Sequence, residues 1–234
     1  MPAKIPFLQR LNPETVEEVE RRGIRREWPR HTCIYRTGET CTGLHLILDG
    51  LVKIYRASPD GRQQIVLLEG AGGILALAPV LDEGRQVGSA DTLRPTTTLF
   101  LSRDDFLQLH AQYPDFRDAV GIEMARRFRT TVALLETIAL KPVPARVATR
   151  LVELAASNDA LDGARSFNLV LSQDELAHAL GTSRESIARS LADLRTAGVI
   201  EQRRSLIRVL DPQALIEWSQ FGGPDTGAPV PALI

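Results

Sequence analysis

The residues best placed to do chemistry in this sequence are Arg184, Glu185 and Arg189. They lie in residues 171–200, LSQDELAHALGTSRESIARSLADLRTAGVI, where apolar positions recur at helical spacing: Leu176, Ala177 and Leu180, then Ile187, Leu191 and Leu194. The three charged residues avoid the second stripe, so they are expected to face outward. Guanidinium groups supply paired donors and a carboxylate supplies acceptors. Ser172 stands three residues before Glu175, the spacing of a capping box, and Thr182 with Glu185 offers a second. Gly181 breaks the first helix because it takes a left-handed backbone at low steric cost, and Gly198 ends the second. Two short helices joined by such a turn predict a helix-turn-helix, whose second helix can enter a DNA major groove.

Other elements must hold that stretch in place. Asn12-Pro13-Glu14 reads as the start of a helix running to about Arg22 that buries Val16 and Val19. From Arg25 to Leu101 the texture changes to short strand-like runs, CIYR, LHLILD, LVKIYR, QIVLLE and TTLFL. Glycines recur between them as an all-β sandwich or barrel requires, and Asp49-Gly50 and Asp60-Gly61 read as hairpin turns. His45 alternates with Leu44 and Leu46 and should face the opposite side of its strand. Ser102 and Asp105 open a short helix. A helix of about 25 residues then follows Tyr113-Pro114, spanning nearly 40 Å. Val120, Met124, Arg127 or Phe128, Thr131, Leu134 or Leu135, and Ile138 recur along it at three-to-four spacing, on a helix longer than a small sandwich covers. This predicts pairing with a second copy of the chain, chiefly through Val120, Met124, Phe128, Thr131, Leu135 and Ile138. Lys141-Pro142-Val143-Pro144 reads as a stiff joint leading to a helix with Val147, Leu151 and Leu154. Phe167, Leu169 and Leu171 alternate as a strand. After residue 200, VIEQ, the turn RRS and LIRVL read as a two-stranded wing, and Asp211-Pro212 opens a last helix to about Phe221.

The net charge of −1 and pI near 6.4 provide no global basic field, so nucleic-acid binding depends on where the cations sit. No apolar run approaches the roughly 18 residues of a membrane span, and the start MPAKIPFLQRLNPE lacks a secretory core; a cytoplasmic protein without membrane contact is expected. Cys33 and Cys41 are the only cysteines, too few for an all-thiolate iron–sulfur centre, and read as free thiols. No metal-ligand spacing, phosphate loop or nucleophile elbow is found, so the expectations are no enzyme, no metal and no cofactor. The competing reading is a ligand-binding module that uses its helix-turn-helix for protein contact.

In this order, a β-roll, a long helix and a winged helix-turn-helix resemble the catabolite activator/FNR family of bacterial transcription regulators. The likeness runs to about Trp218 and is strongest in GTSRESIARSLADLRTAGVI (181–200) and EMARRF (123–128). It implies an α+β fold: a jelly-roll, cyclic-nucleotide-binding-like sensor domain over 1–112, a dimerisation helix over 113–141, a winged helix-turn-helix over 142–221 and a disordered tail over 222–234. It places Arg184, Glu185 and Arg189 as DNA base contacts, for Arg can pair with guanine O6 and N7 and Glu can accept from cytosine N4. Ser172, Thr182 and Ser183 at helix N-termini, with Arg203 and Arg204 in the wing turn, are the expected phosphate contacts. The implied partners are double-stranded DNA, a second copy as homodimer, RNA polymerase and an unidentified small-molecule effector, and the implied site is a pseudo-palindrome with TGTGA-like half-sites.

The sensor half departs from the family pattern. Cyclic-nucleotide-binding members carry a Gly-Glu pair and then Arg-Ser-Ala; here those positions read Ala76-Leu77 and Gly88-Ser89-Ala90. The charged partners of phosphate and ribose are missing, and Arg85 lies three residues early. The polar pair on the long helix reads Thr131-Val132. Thr131 and Ser89 remain as effector-pocket candidates. His31, His45, His110 and Cys41 are the local candidates for a haem ligand, each better read as a surface or strand residue.

Overall fold

The computed structural model describes residues 5–161 and 165–223. The chain divides into two compact units, Met1–Val132 and Ala133–Ile234.

In the first unit a 3-10 turn over Leu8–Arg10 leads to α1 (Pro13–Arg22), in which Val19 is fully buried and Val16 packs beside it. Eight strands follow: β1 (Ile24–Trp28), β2 (Cys33–Tyr35), β3 (Gly43–Asp49), β4 (Leu51–Ala57), β5 (Gln63–Gly70), β6 (Ile74–Leu75), β7 (Ser89–Thr92) and β8 (Thr96–Ser102). They form two antiparallel four-stranded sheets, ordered β1-β8-β3-β6 and β2-β7-β4-β5. Ile47 and Leu75 from one sheet meet Val52, Ile54 and Ala90 from the other. On the other face of the first sheet, Leu44, Leu46, Leu99 and Leu101 pack against α1, α2 (Leu77–Asp82), α3 (Arg103–Gln112) and the start of α4 (Pro114–Leu140). Phe106 and Phe116 are the largest fully buried side chains in that layer, and burying one such ring stabilises by about 1.5–3 kcal/mol. Ser102 caps α3 by accepting from the Asp105 N–H, as its spacing predicts.

One of the two expected hairpins needs correction. Asp49-Gly50 is not a hairpin: β3 and β4 belong to different sheets, and Gly50 turns the chain from one to the other. Its φ is +110°, and a Cβ there would meet Thr96 Cα at 2.6 Å. Asp60-Gly61 does close a hairpin, between β4 and β5. The strands β1, β6 and β7 escape the sequence pattern because β1, IRREW, carries three charges and β6 has two residues.

His45 lies on the strand face opposite Leu44 and Leu46, but it is not a surface residue. Trp28 and Phe100 cover it, with ring centroids at 5.7 and 4.9 Å, and Thr98 Oγ1 lies 3.2 Å from its Nδ1. Burial first, and the charge of Arg26 second, lower its pKa to about 4. Both cysteines are free thiols, donating to the carbonyls of Tyr35 and Gly43.

The second unit contains α5 (Val143–Ser157), β9 (Ser166–Asn168), α6 (Gln173–Leu180), α7 (Arg184–Thr196), β10 (Ile200–Arg203), β11 (Leu206–Val209) and α8 (Pro212–Phe221). Val147, Leu151, Leu176, Ile187, Leu191, Leu194, Ile207 and Leu215 are fully buried in its core. The wing has three strands rather than two, since β9 pairs antiparallel with β11 through Phe167 and Ile207. The end of the expected disordered tail, beyond Gly223, lies outside the described residues.

Candidate functional site

The geometry of α6 and α7 follows from their caps. Ser172 Oγ accepts from the Glu175 N–H, and the Glu175 carboxylate accepts from the Ser172 N–H at 2.7 Å, the full capping box. Gly181 adopts φ +62°, and both its N–H and that of Thr182 donate to Ala177 O. Thr182 is therefore still part of the turn that closes α6. Ser183, in extended conformation, caps α7 by accepting from the Ser186 N–H at 3.2 Å. The predicted Thr182–Glu185 box is thus replaced by a Ser183–Ser186 pair one residue later.

Ile187, Ser190, Leu191 and Leu194 turn inward, while Arg184, Glu185 and Arg189 are exposed side by side on the outer face of α7. Glu185 and Arg189, four apart, form no ion pair among the described residues. Arg184 instead approaches Asp174 on α6, Nη1 to Oδ2 at 3.7 Å, both groups well exposed. The Glu185 carboxyl is held below its usual range by its own backbone N–H and then by the Ser183 hydroxyl. In the wing turn Arg204 takes φ +56°, and Arg203 pairs with Glu201 at 2.8 Å. The face offers two guanidinium groups and a carboxylate from one helix, with hydroxyls at both helix starts.

Sequence reasoning missed the residue that fixes the turn. Arg146, on α5, donates to Leu180 O at 3.0 Å, Gly181 O at 3.3 Å, Ile138 O at 2.7 Å and Lys141 O at 2.8 Å. One guanidinium thereby satisfies the terminal carbonyls of α6 and of the last turn of α4, groups that helix geometry leaves unpaired. No local pattern marks it.

On α4, Val120 is buried in the first unit's core beside Phe116 and Ala119. Ile122, Met124, Phe128, Val132, Leu135 and Leu140 are exposed large apolar groups along the same helix, with Phe128 at 71%. Thr131 is exposed and Ile138 half-buried.

The first unit holds a cavity of about 250 Å³ between β4, β5 and α2, walled by Ile54, Val66, Leu67 and Pro79, with Tyr35 and Arg127 at one end and Arg56 beside Val87. Neither Thr131 nor Ser89 lines it; the Ser89 hydroxyl instead accepts from the Thr37 N–H. Leu77, at the expected glutamate position, is buried, and Ala76 before it adopts φ +61°. Arg85 points to Gly38 O, at 2.9 Å.

Residues 145–218 match the Crp-like helix-turn-helix domain and residues 25–113 the cyclic nucleotide-binding domain. The chain is 28% identical over 214 residues to a CRP-like cAMP-activated global transcriptional regulator of Mycobacterium tuberculosis, covering 91% of this chain and 96% of that one. It is 29% identical over 217 residues to the cyclic AMP receptor protein of Thermus thermophilus, covering 93% and 97%. Among solved structures, the c-di-GMP responsive global regulator CLP of Xanthomonas campestris shares the fold with a TM-score of 0.75 at 22% identity, over 85% of this chain and 99% of that one.

Proposed function

This chain belongs to the catabolite activator/FNR family of bacterial transcription regulators, and we propose that it acts as a homodimer on a pseudo-palindromic, TGTGA-like DNA site. It is a DNA-binding regulator rather than an enzyme. Arg184, Glu185 and Arg189 read base edges. Ser172, Thr182, Ser183, Arg203 and Arg204 contact phosphates. The exposed series Met124, Phe128 and Leu135 on α4 pairs with a second copy. RNA polymerase is the further partner, and the protein works in the cytoplasm. The observation that carries this reading is the outer face of α7, where two arginines and a glutamate are exposed together on a doubly capped helix-turn-helix.

The sensor domain, on the same reading, no longer binds a cyclic nucleotide in the usual mode. Ala76-Leu77 and Gly88-Ser89 supply neither a carboxylate for the ribose hydroxyl nor a guanidinium for the phosphate.

Selection of bound sites from random duplexes with the untreated full chain tests the proposal. A two-fold TGTGA-like consensus with half-sites about 10–10.5 base pairs apart is expected. Recovery of no preferred sequence at moderate salt would instead assign the helix-turn-helix to protein contact.

A further inference from the structure

The cavity between β4, β5 and α2 is built unlike an anion site at its inner end. Arg127 reaches that end from α4, but its charge is already used. Its Nη2 lies 3.2 Å from Glu69 Oε1 and its Nε 3.1 Å from Glu123 Oε1, and Nη2 also donates to Ile74 O. Arg126 completes the group, with Nη2 at 3.1 Å from Glu69 Oε1 and 2.7 Å from Glu123 Oε1. Two guanidiniums therefore face two carboxylates, and no net positive charge remains to hold a phosphate there. Glu69 is nearly fully buried. Gly73 leaves it room, since a Cβ at that position would meet Glu69 Oε2 at 2.6 Å.

The mouth is different. Arg56 donates one N–H to Val87 O at 2.7 Å, and no carboxylate pairs with it among the described residues. The rest of the lining is mainly aliphatic, with Ile54, Val66, Leu67 and Pro79, and carries Tyr35 and Gln86 as its uncharged polar side chains. The volume, about 250 Å³, is below the usual range for drug-sized ligands.

From this arrangement we propose that the cavity binds a small amphipathic carboxylate, its apolar body between β4, β5 and α2 and its carboxylate on Arg56. This rests on the reading that the domain no longer takes a cyclic nucleotide in the usual mode, and it names the ligand class that replaces it. A bidentate contact to Arg56 supplies orientation, and the walls supply the affinity by removing apolar surface from water.

The test uses the full chain with methyl labelling, followed by NMR, and three probes: 1-naphthoate, its uncharged methyl ester and cyclic AMP. Saturable shifts of the Ile54 and Leu67 methyls are expected with 1-naphthoate, and none with cyclic AMP. Arg56→Gln, an exposed substitution, should weaken 1-naphthoate about fivefold, as one partly screened ion pair allows, and leave the ester unchanged. Glu69→Gln uncovers the charge of Arg127 and should raise the affinity for cyclic AMP relative to 1-naphthoate; if that variant does not fold, Arg56→Gln alone decides. The ligand class is overturned if 1-naphthoate does not bind, or binds no better than its ester and ignores Arg56→Gln. Saturable cyclic AMP binding to the unaltered chain at these methyls would overturn the underlying reading instead.

Discussion

Truncating Arg184 to alanine separates base reading from every other role of that residue. In the folded protein its only ion pair among the described residues is with Asp174, at 3.7 Å and with both side chains about 60% exposed (62% and 60%). Such a pair contributes at most about 1 kcal/mol, and alanine is at least as good a helix former as arginine. The melting temperature should therefore move by no more than a few degrees. On DNA the same change removes a paired donor to one base, a loss of roughly 1–3 kcal/mol, or about 5- to 150-fold in affinity. That loss belongs to one base pair. Fluorescence anisotropy with a consensus duplex and its single-base variants, titrated at several salt concentrations, reads it out. On the consensus duplex the variant should bind more weakly than the unaltered chain. On the duplex altered at the contacted pair the two should bind alike. The slope of affinity against salt should not change. Equal weakening on every duplex, with the slope reduced by about one, would make Arg184 a phosphate contact and refute the assignment.

Three further outcomes follow from named contacts. Phe128→Asp on α4, at 71% exposure, should leave the fold intact and shift sedimentation from dimer to monomer, weakening operator binding at least tenfold; a variant that sediments as before would remove that face from the interface. Arg146→Leu strips four backbone carbonyls of a charged donor and should cost roughly 2–4 kcal/mol in denaturant unfolding, with α6 and the end of α4 losing amide-exchange protection first. His45 has a folded pKa of about 4, below its usual 6.5, so the unfolded chain binds more protons between those values. Its contribution is complete above about pH 6.5 and is lost as pH falls toward 4, by up to roughly 3 kcal/mol. His45→Phe should flatten the pH dependence in that window, and an unchanged profile would exclude His45 as its source.

The helix-turn-helix was readable because its signals are local. Ser172 and Glu175 cap over three residues, Gly181 takes the turn that only a residue without Cβ enters cheaply, and Ile187, Leu191 and Leu194 mark an inner face by periodicity alone. The outward direction of Arg184, Glu185 and Arg189 is the complement of that stripe. Even the missed cap, Ser183 in place of Thr182, is an error of one residue, set by a hydrogen bond from Thr182 back to Ala177.

Tertiary structure decided what depends on distant partners. Asp49-Gly50 has the residues of a hairpin, yet the chain changes sheets there, with Thr96 packed where a Cβ would stand. His45 alternates like an exposed strand residue, and only Trp28 and Phe100, brought alongside on β1 and β8 of the same sheet, cover it. Glu69 sits in a strand with no sign that Arg126 and Arg127, more than fifty residues later, will neutralise it. Sequence patterns record the backbone's own preferences over one or two turns. Which charges are buried together, and hence what the sensor cavity can hold, is fixed by contacts that no such pattern contains.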